Sequence, residues 1–502
     1  MTSYNRFFIL LILLFSLAGC SSFPAVQTQT TLEVEGQPRV TPTAQDPLAE
    51  YDANLVEAYL PVLVGMETAT RYRVEIEIAD NISTISGHQE VFYSNNEDVS
   101  LKEVYFRLFP NNSGAYMTVS ALQVEGEPVQ VVLDHSNTAM RVELPAELQP
   151  GQSVTISMDF DQTVPSEMGG NYGLYIYMDG ILSLDQFLPI IPVYDEEGWN
   201  VEDPPINADM LYSDEAFFDV QVSAPPQLVI AGSGVEVDNS VKDGQQVVRY
   251  VGGPQRDFFL AASPLYQSAS RKVGDTKITS YYLEEYRDGG MLVLETAGHA
   301  LESYNERFGL YPYTELDLIS TPMNAGGMEY SSAVSLSLYY YNPDHNLGNL
   351  TFLESVVAHE IAHQWFFNQV MSDQIEEPWL DESLVQYATY LYYVDRYGEN
   401  NAEGFVDSWY QRWASVGMES IPIGLPAAVY SEDEYGQIVY GRGPLFFAAL
   451  ENQMGEELFN KLLYDYAEKY RWGISTGADF KALAEETCGC DLTPLFEEWV
   501  YD

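Results

Sequence analysis

The chain has 502 residues with 46% hydrophobic and 13% aromatic content, so it can bury large cores and is not intrinsically disordered. Its length predicts two or three domains. Its 75 acidic residues against 22 basic residues give a formal net charge of −53, which repels phosphate backbones and excludes nucleic acid as a partner.

The N-terminus has the pattern of an export signal. Arg6 supplies positive charge, and residues 7–17 are almost wholly apolar but only about half the roughly 20 residues that span a bilayer. The run from Leu17 to Cys20 resembles the lipobox of bacterial lipoproteins, in which the chain is cut before the cysteine and the thiol carries a lipid. We therefore expect a signal peptide at 1–19, and a lipidated Cys20 with a flexible linker over 20–67. The protein would then be an exported, membrane-anchored lipoprotein on the extracytoplasmic side of the cell envelope, with secretion without a lipid as the alternative.

Residues 68–265 have the period-two pattern of β-strands. Tyr72, Val74, Ile76 and Ile78 alternate with charged residues, and similar alternation recurs over 104–108 and 154–160. Turn-forming runs separate these segments. The pattern predicts an N-terminal antiparallel β saddle or sandwich domain.

Residues 266–502 change to a mostly helical pattern. One apolar face runs from Met291 to Phe308, with Gly309 placed to end the helix, and a strand is predicted over 316–319. Further helices are predicted over 352–367, from about residue 381, over 445–468 and over 493–500. The whole chain is therefore predicted to be a multidomain α and β protein.

The chain has three cysteines, Cys20, Cys488 and Cys490. A disulfide between cysteines separated by one residue would be strained, and two thiols are too few for a metal site. We predict that Cys488 and Cys490 are free thiols or a labile pair.

His359, Glu360 and His363 form the run His-Glu-Ile-Ala-His, which is the H-E-x-x-H pattern. On a helix the two imidazoles project from one face and can hold one Zn²⁺ per chain. Glu382 can be the third ligand, leaving one tetrahedral position for water, as in catalytic zinc sites. Glu360 is then placed to take a proton from that water as general base.

The run from His359 to Phe366, followed by Trp379-Leu380-Asp381-Glu382 after a spacer of eighteen residues from His363, resembles gluzincin aminopeptidases of the membrane alanyl aminopeptidase and leukotriene hydrolase type. The run from Gly326 to Tyr330 resembles the family's Gly-Ala-Met-Glu-Asn segment. The run from Tyr440 to Gly443 resembles its Tyr-x-Lys-Gly segment. The resemblance covers roughly residues 68–502.

This resemblance implies a thermolysin-like catalytic domain over 266–502 that acts on peptides with a free N-terminus. By resemblance, Glu329 binds the substrate's α-amine and Tyr440 donates to the oxyanion. The backbone of Gly326, Gly327 and Met328 lines the substrate cleft. Gln186 of the β domain is the position expected to help hold the amine.

Several features depart from the family pattern, beginning with Gly327 and Tyr330, which replace the Ala and Asn of the Gly-Ala-Met-Glu-Asn segment. Thr389 stands where many relatives have an acid that orients a ligand histidine, Phe367 stands where they commonly have Gly, and Arg442 replaces Lys. The sequence also stops soon after Phe496, so we expect no large C-terminal helical domain to cover the cleft.

We interpret the chain as a zinc-dependent aminopeptidase. Two alternatives stay open on the sequence alone. One is a thermolysin-like endopeptidase, and the other is a non-catalytic peptide-binding lipoprotein that kept the fold.

Overall fold

The computed structural model describes residues 47–203, 209–342, 349–431 and 433–501. The predicted signal peptide, Cys20 and the first part of the predicted linker lie outside these residues. Across the part of the chain that is described, no helix is both long enough and apolar enough to cross a membrane.

The chain packs against the folded core from residue 48 onward, so the flexible linker predicted over 20–67 is wrong for this stretch. Two 3₁₀ helices, Ala49–Asn54 and Glu57–Leu63, follow one another here. Leu48, Tyr51 and Leu55 are buried in the core of the second domain. Their spacing puts them on one side of a helical turn, a local pattern that the polar residues before it conceal.

The first domain is built from strands, as predicted. The strands are β1 Thr70–Ile78, β2 Thr84–Ser94, β3 Leu101–Arg107, β4 Tyr116–Val124, β5 Glu127–Pro128, β6 Val132–Asp134, β7 Ala139–Leu148, β8 Ser153–Thr163, β9 Ile176–Met178, β10 Ile181–Leu184, β11 Tyr194–Asp195, β12 Gly198–Trp199, β13 Ala216–Ala224, β14 Val229–Gly232, β15 Val235–Lys242, β16 Gln245–Gln255 and β17 Leu260–Ser263.

The main sheet of this domain has eight strands in the order β15-β16-β13-β1-β2-β8-β4-β5, and smaller sheets are formed by β14-β17-β10-β9 and β3-β7-β6. In β1 the apolar residues from Tyr72 to Ile78 are buried and the charged residues between them are exposed. That alternation gives the sheet one core-facing side. The pairing is antiparallel as predicted, except that β1 lies parallel to β13.

The second domain combines a small sheet with helices. Its strands are β18 Tyr266–Val273, β19 Thr276–Leu283, β20 Glu315–Thr321, β21 Gly327–Tyr330, β22 Ala333–Ser337, β23 Val370–Met371 and β24 Gly473–Ile474. Its helices are α1 Arg287–Phe308, α2 Leu338–Tyr341, α3 Asn349–Ala362, α4 Leu384–Tyr397, α5 Glu399–Ser415, α6 Tyr435–Gln437, α7 Gly443–Met454, α8 Glu456–Lys469, α9 Gly477–Cys488 and α10 Thr493–Phe496.

The sheet of the second domain has the order β18-β19-β20-β22-β21, which leaves β21 at an edge. The predicted fold class, a β domain followed by a mostly helical domain, is confirmed. Two helix boundaries differ from the prediction. The helix predicted over 352–367 ends at Ala362. The one predicted over 445–468 is divided at Gly455, whose φ of 84° interrupts the helix.

Cys488 and Cys490 form a disulfide, so the prediction of free thiols is wrong. Helix α9 ends at Cys488, and Gly489 adopts a left-handed conformation with φ of 63°. That turn brings the two Cα atoms to 5.2 Å, within the range that a disulfide spans.

Arg256 joins the two domains beside the segment that follows the H-E-x-x-H helix. Its guanidinium is fully buried and donates to the backbone carbonyls of Ser213 at 3.1 Å, Asn368 at 3.2 Å and Gly473 at 2.7 Å. It also forms an ion pair with Glu215. Because a planar guanidinium fixes several partners at once, this contact ties the β domain to the segment after His363.

Candidate active site

The two histidines lie at the C-terminal end of α3. His359 belongs to the last turn of the helix, and His363 follows it in a turn whose N–H still reaches the carbonyl of His359. Val357 and Ile361 are fully buried on the same helix, which fixes the opposite face against the core. The two imidazole rings therefore stand side by side, with centroids 4.9 Å apart and planes at 83°.

Glu382 approaches them from the next segment of the chain. It lies in a π-helical turn, Trp379–Ser383, that leads into α4. Such turns are rare and often occur at functional sites, because the extra residue redirects a side chain. Trp379 and Leu380 are buried in the core and hold the turn in place.

The three donor atoms converge on one point. His359 Nε2 lies 3.1 Å from Glu382 Oε2 and 3.3 Å from His363 Nε2, and His363 Nε2 lies 3.6 Å from Glu382 Oε2. Ligands at zinc distances of about 2.0–2.1 Å in a tetrahedron stand about 3.3 Å apart. Two imidazole nitrogens and one carboxylate oxygen at this spacing fit Zn²⁺.

The far nitrogen of each imidazole has an acceptor that orients the ring. His363 Nδ1 bonds to the carbonyl of Phe366 at 3.1 Å and lies 2.9 Å from Asp381 Oδ1, and His359 Nδ1 lies 3.5 Å from Thr389 Oγ1. The Thr389 hydroxyl donates to the Val385 carbonyl, so its lone pairs face the imidazole. A neutral hydroxyl thus occupies the position where the resemblance predicts an acid. It is a weaker hydrogen-bond partner for the imidazole of His359 than a carboxylate would be.

Electrostatics also prepares the triad for a cation. Burial favours the protonated form of Glu382, but the hydrogen bonds and charges of His359 and His363 outweigh it and hold the pKa of this carboxyl well below its usual value. Burial lowers the pKa of His359. For His363 burial also favours the neutral form, but Asp381 and Glu329 outweigh it and raise the pKa well above its usual value.

Glu360 faces the cleft beside β21. Its side chain is 5% exposed, and burial together with the nearby Glu329 raises its pKa well above the usual value. A carboxylate held in this way binds a proton more tightly than one in water, as a general base requires. A Cβ on Gly327 would lie 2.6 Å from the Glu360 side chain. Glycine at this position lets β21 approach the helix that carries Glu360.

Tyr440 lies in a second π-helical turn, Ile438–Arg442, and lines the same cleft. Its ring centroid is 6.1 Å from that of His359 and 6.3 Å from that of Tyr435. Ser383 Oγ donates to the Val439 carbonyl at 2.5 Å, so the two π-helical turns are bonded directly to each other. This contact fixes Tyr440 relative to Glu382.

Glu329 lies on β21, the edge strand, and its carboxyl is 4% exposed. Burial raises its pKa to about 8. Gln374 Nε2 donates to Glu329 Oε1 at 3.3 Å and to Asp381 Oδ2 at 2.6 Å, which links Glu329 to the carboxylate that orients His363. Gly326, Gly327 and Met328 line the cleft next to Glu329, where the resemblance placed them.

Gln186 is close to Glu329 but does not line the main cleft. It is 7% exposed, has a φ of 41° and donates through Nε2 to Asp257 Oδ2 at 3.0 Å. With Glu329 it lines a smaller cavity of about 20 Å³, which is room for one water-sized group. The structure thus places the predicted β-domain residue in a small cavity that Glu329 also lines, outside the main cleft.

Two of the departures from the family pattern have structural roles. Arg442 is 2% exposed and donates to the backbone carbonyls of Ile421, Glu498 and Trp499, so it fastens the C-terminal segment. Phe367 is buried in the core of the first domain and so connects the segment after His363 to that domain.

The sequence did not reveal two β-domain residues that line the cleft, Tyr172 and Asp209. Burial raises the pKa of Asp209 well above its usual value, and the charges of Glu329 and Glu382 raise it further. Nothing in the sequence distinguishes one carboxylate among so many. Tyr172 has a φ of 55°, an unusual conformation for a non-glycine residue that the sequence does not signal.

The cleft has a volume of about 780 Å³, which suits a peptide rather than a large folded ligand. Residues 292–499 match the family described as the Peptidase family M1 domain. This part of the chain, which contains the zinc-fitting triad, is similar to that family. The zinc-fitting triad is therefore the metal centre expected of an M1 zinc metallopeptidase.

Curated M1 relatives cover most of the chain at low identity. Aminopeptidase M1-B of Oryza sativa is 26% identical over 393 residues, covering 74% of this chain and 43% of the relative. Aminopeptidase N of Lactococcus lactis is 25% identical over 412 residues, covering 76% of this chain and 46% of the relative. The chain thus spans less than half the length of these two relatives.

The fold is also that of a solved M1 structure. The M1 zinc metallopeptidase of Deinococcus radiodurans superposes with a TM-score of 0.65 at 18% sequence identity, covering 86% of this chain and 93% of that chain. A mutant of that protein was solved bound to the substrate Tyr-Ser-Ala, with a TM-score of 0.63 at 18% identity.

Proposed function

We propose that this chain is a zinc-dependent aminopeptidase that removes N-terminal residues from peptides. The observation that carries the proposal is the buried carboxylate of Glu329, which lines the same cleft as the zinc-fitting triad. Among the described residues it forms no ion pair with a lysine or arginine. A buried carboxylate without a fixed cation is suited to receive one from the substrate.

The reaction divides among few groups. His359, His363 and Glu382 would hold Zn²⁺, which when bound would lower the pKa of a water molecule and polarise the substrate carbonyl. Glu360 accepts the proton of the attacking water and passes it to the leaving amine. Tyr440 donates its hydroxyl hydrogen to the carbonyl oxygen as that oxygen gains negative charge.

Glu329 determines which peptide bond of the substrate is cleaved. It pairs with the substrate's terminal ammonium and so places the first peptide bond beside Glu360. An internal peptide bond offers no ammonium and loses that interaction, which favours an exopeptidase over a thermolysin-like endopeptidase. The names of the relatives, among them an aminopeptidase N, and the Tyr-Ser-Ala substrate of the Deinococcus mutant support this reading.

The test compares an alanine anilide with its N-acetylated counterpart on zinc-loaded protein. We expect kcat/KM for the free amine to exceed that for the blocked substrate by at least about 30-fold, because the ion pair with Glu329 is lost. Preference for the blocked substrate would instead support the endopeptidase. Inactivity of zinc-loaded protein on a broad peptide library would support a non-catalytic peptide-binding protein.

We also propose that the chain is exported and held at the membrane by a lipid on Cys20. The apolar run 7–17 and the lipobox-like residues before Cys20 support this proposal. In a bacterial host, the wild-type protein should sediment with membranes and incorporate a labelled fatty acid, whereas Cys20→Ser should do neither. Equal partition and labelling of both proteins would contradict the proposal.

A further inference from the structure

Arg412 is the only lysine or arginine among the described residues that line the cleft. The lining also contains the carboxylates of Asp209, Glu329, Glu360 and Glu382. In a chain with a formal charge of −53, such a cleft repels anions except near that one cation.

Arg412 lies in the last turn of α5, directly beside the turn that carries Tyr440. A Cβ on Gly441 would lie 2.8 Å from the Cβ of Arg412, so glycine at this position lets α5 pack against the residue that follows Tyr440. The ring of Tyr440 is 6.1 Å from that of His359, and Arg412 lines the same cleft as His359 and Glu382.

The guanidinium of Arg412 is available to a ligand. It is exposed, and its one hydrogen bond within the described chain is a long one, 3.5 Å from Nη1 to the carbonyl of Gly436. It makes no ion pair with any described carboxylate, whereas Arg307, for comparison, bonds to Asp395 through two nitrogens. An arginine carries five donors in a fork that matches a carboxylate.

We propose that Arg412 binds a carboxylate of the peptide substrate. This inference rests on the proposed aminopeptidase function and names the substrate class that the site prefers. The source we favour is the C-terminal carboxylate of a di- or tripeptide, because each extended residue adds about 3.3–3.6 Å and a short peptide ends within the cleft. An acidic side chain after the cleaved bond has the same chemistry. In either case Glu329 binds the ammonium and Arg412 the anion, so the two charges set the direction of the peptide.

The experiment measures kcat/KM for four substrates on wild type, Arg412→Ala and Arg412→Lys. The substrates are alanine anilide, trialanine, trialanine amide and the amide of Ala-Glu-Ala. We expect wild type to prefer trialanine over its amide by about tenfold or more, since hydrogen bonds to charged groups are the stronger ones. In Arg412→Ala this ratio should fall close to one, and Arg412→Lys should keep part of it, since lysine retains the charge without the fork.

The two sources of the carboxylate separate within the same panel. Preference for Ala-Glu-Ala amide over trialanine amide that disappears in Arg412→Ala would assign the subsite to an acidic side chain. The matched control is Arg287→Ala, which removes an exposed arginine at the start of α1 and should leave both ratios unchanged.

Two outcomes would overturn the proposal. One is a wild type that prefers neither trialanine over its amide nor Ala-Glu-Ala amide over trialanine amide, and the other is an Arg412→Ala variant that loses the same factor on all four substrates. If wild type cleaves none of the four, the proposed function has failed. In that case, calorimetry would compare the binding of trialanine and of its amide to wild type and to Arg412→Ala. Equal affinities of the wild type for the two peptides would reject the proposal that Arg412 binds the carboxylate.

Discussion

Replacing Glu360 with glutamine is expected to lower kcat by about 10²- to 10⁴-fold while leaving the zinc content at one ion per chain. The change keeps the size of a side chain that is 5% exposed and packed against Gly327, so the fold has no reason to adjust. The substitution removes one function of the carboxylate, because an amide cannot accept a proton. General acid–base groups contribute rate factors of this size.

Three measurements make this result specific to Glu360. Elemental analysis reports whether the triad still binds zinc, and a thermal melt reports whether the domain is intact. The matched control is Glu306→Gln, which removes the charge of an exposed glutamate on α1 and should leave kcat within about twofold of wild type, as surface substitutions usually do. Retention of more than about a tenth of the wild-type kcat by Glu360→Gln, with zinc bound, would show that another group accepts the proton.

The two histidines of the zinc-fitting triad could be predicted because they are close together in the sequence. Two histidines four residues apart on a helix converge wherever the helix lies, and the structure places their Nε2 atoms 3.3 Å apart. Glu382 is less local, because it lies on the next segment of the chain, after a spacer of eighteen residues from His363. The structure explains its position by a π-helical turn, and no sequence rule predicts such turns.

Residues that depend on tertiary contacts could not be predicted in this way. Asp209 and Tyr172 reach the cleft because the β domain packs against the second domain, and pattern reasoning treats each domain separately. The sequence shows only that Arg442 replaces the family lysine, but its role depends on three carbonyls that come from distant segments. The orienting contact between Asp381 and His363 likewise exists only after the turn at Trp379–Ser383 has formed.

The β alternation was sufficient to predict the first domain, because the period of two survives wherever one face of a sheet is buried. The same reasoning failed for residues 48–63. Three buried side chains in a short helical turn give too weak a periodic signal, and the composition of the preceding segment led to a linker. Their burial depends on contacts with residues more than 200 positions further along the chain. One such contact is the hydrogen bond that the backbone N–H of Val56 donates to the carbonyl of Pro312.

Replacing Glu329 with alanine is expected to lower kcat/KM for substrates with a free amine by about 30- to 150-fold, with a much smaller loss on an α-hydroxy analogue. The hydroxyl analogue carries no positive charge, so its binding does not depend on the carboxylate. The range corresponds to about 2–3 kcal/mol, which is the contribution of a hydrogen bond to a charged group. The measured quantity is the ratio of kcat/KM for the amine and hydroxy substrates.

A second variant separates loss of charge from loss of structure. Alanine removes an acceptor from Gln374, which then keeps only its bond to Asp381. Glu329→Gln retains an oxygen for Gln374 but no charge, so both variants should lower the amine-to-hydroxy ratio if the charge matters. If Glu329→Gln keeps the wild-type ratio while Glu329→Ala loses it, Glu329 acts by positioning Gln374 and Asp381. The choice of the N-terminal residue must then come from other groups in the cleft.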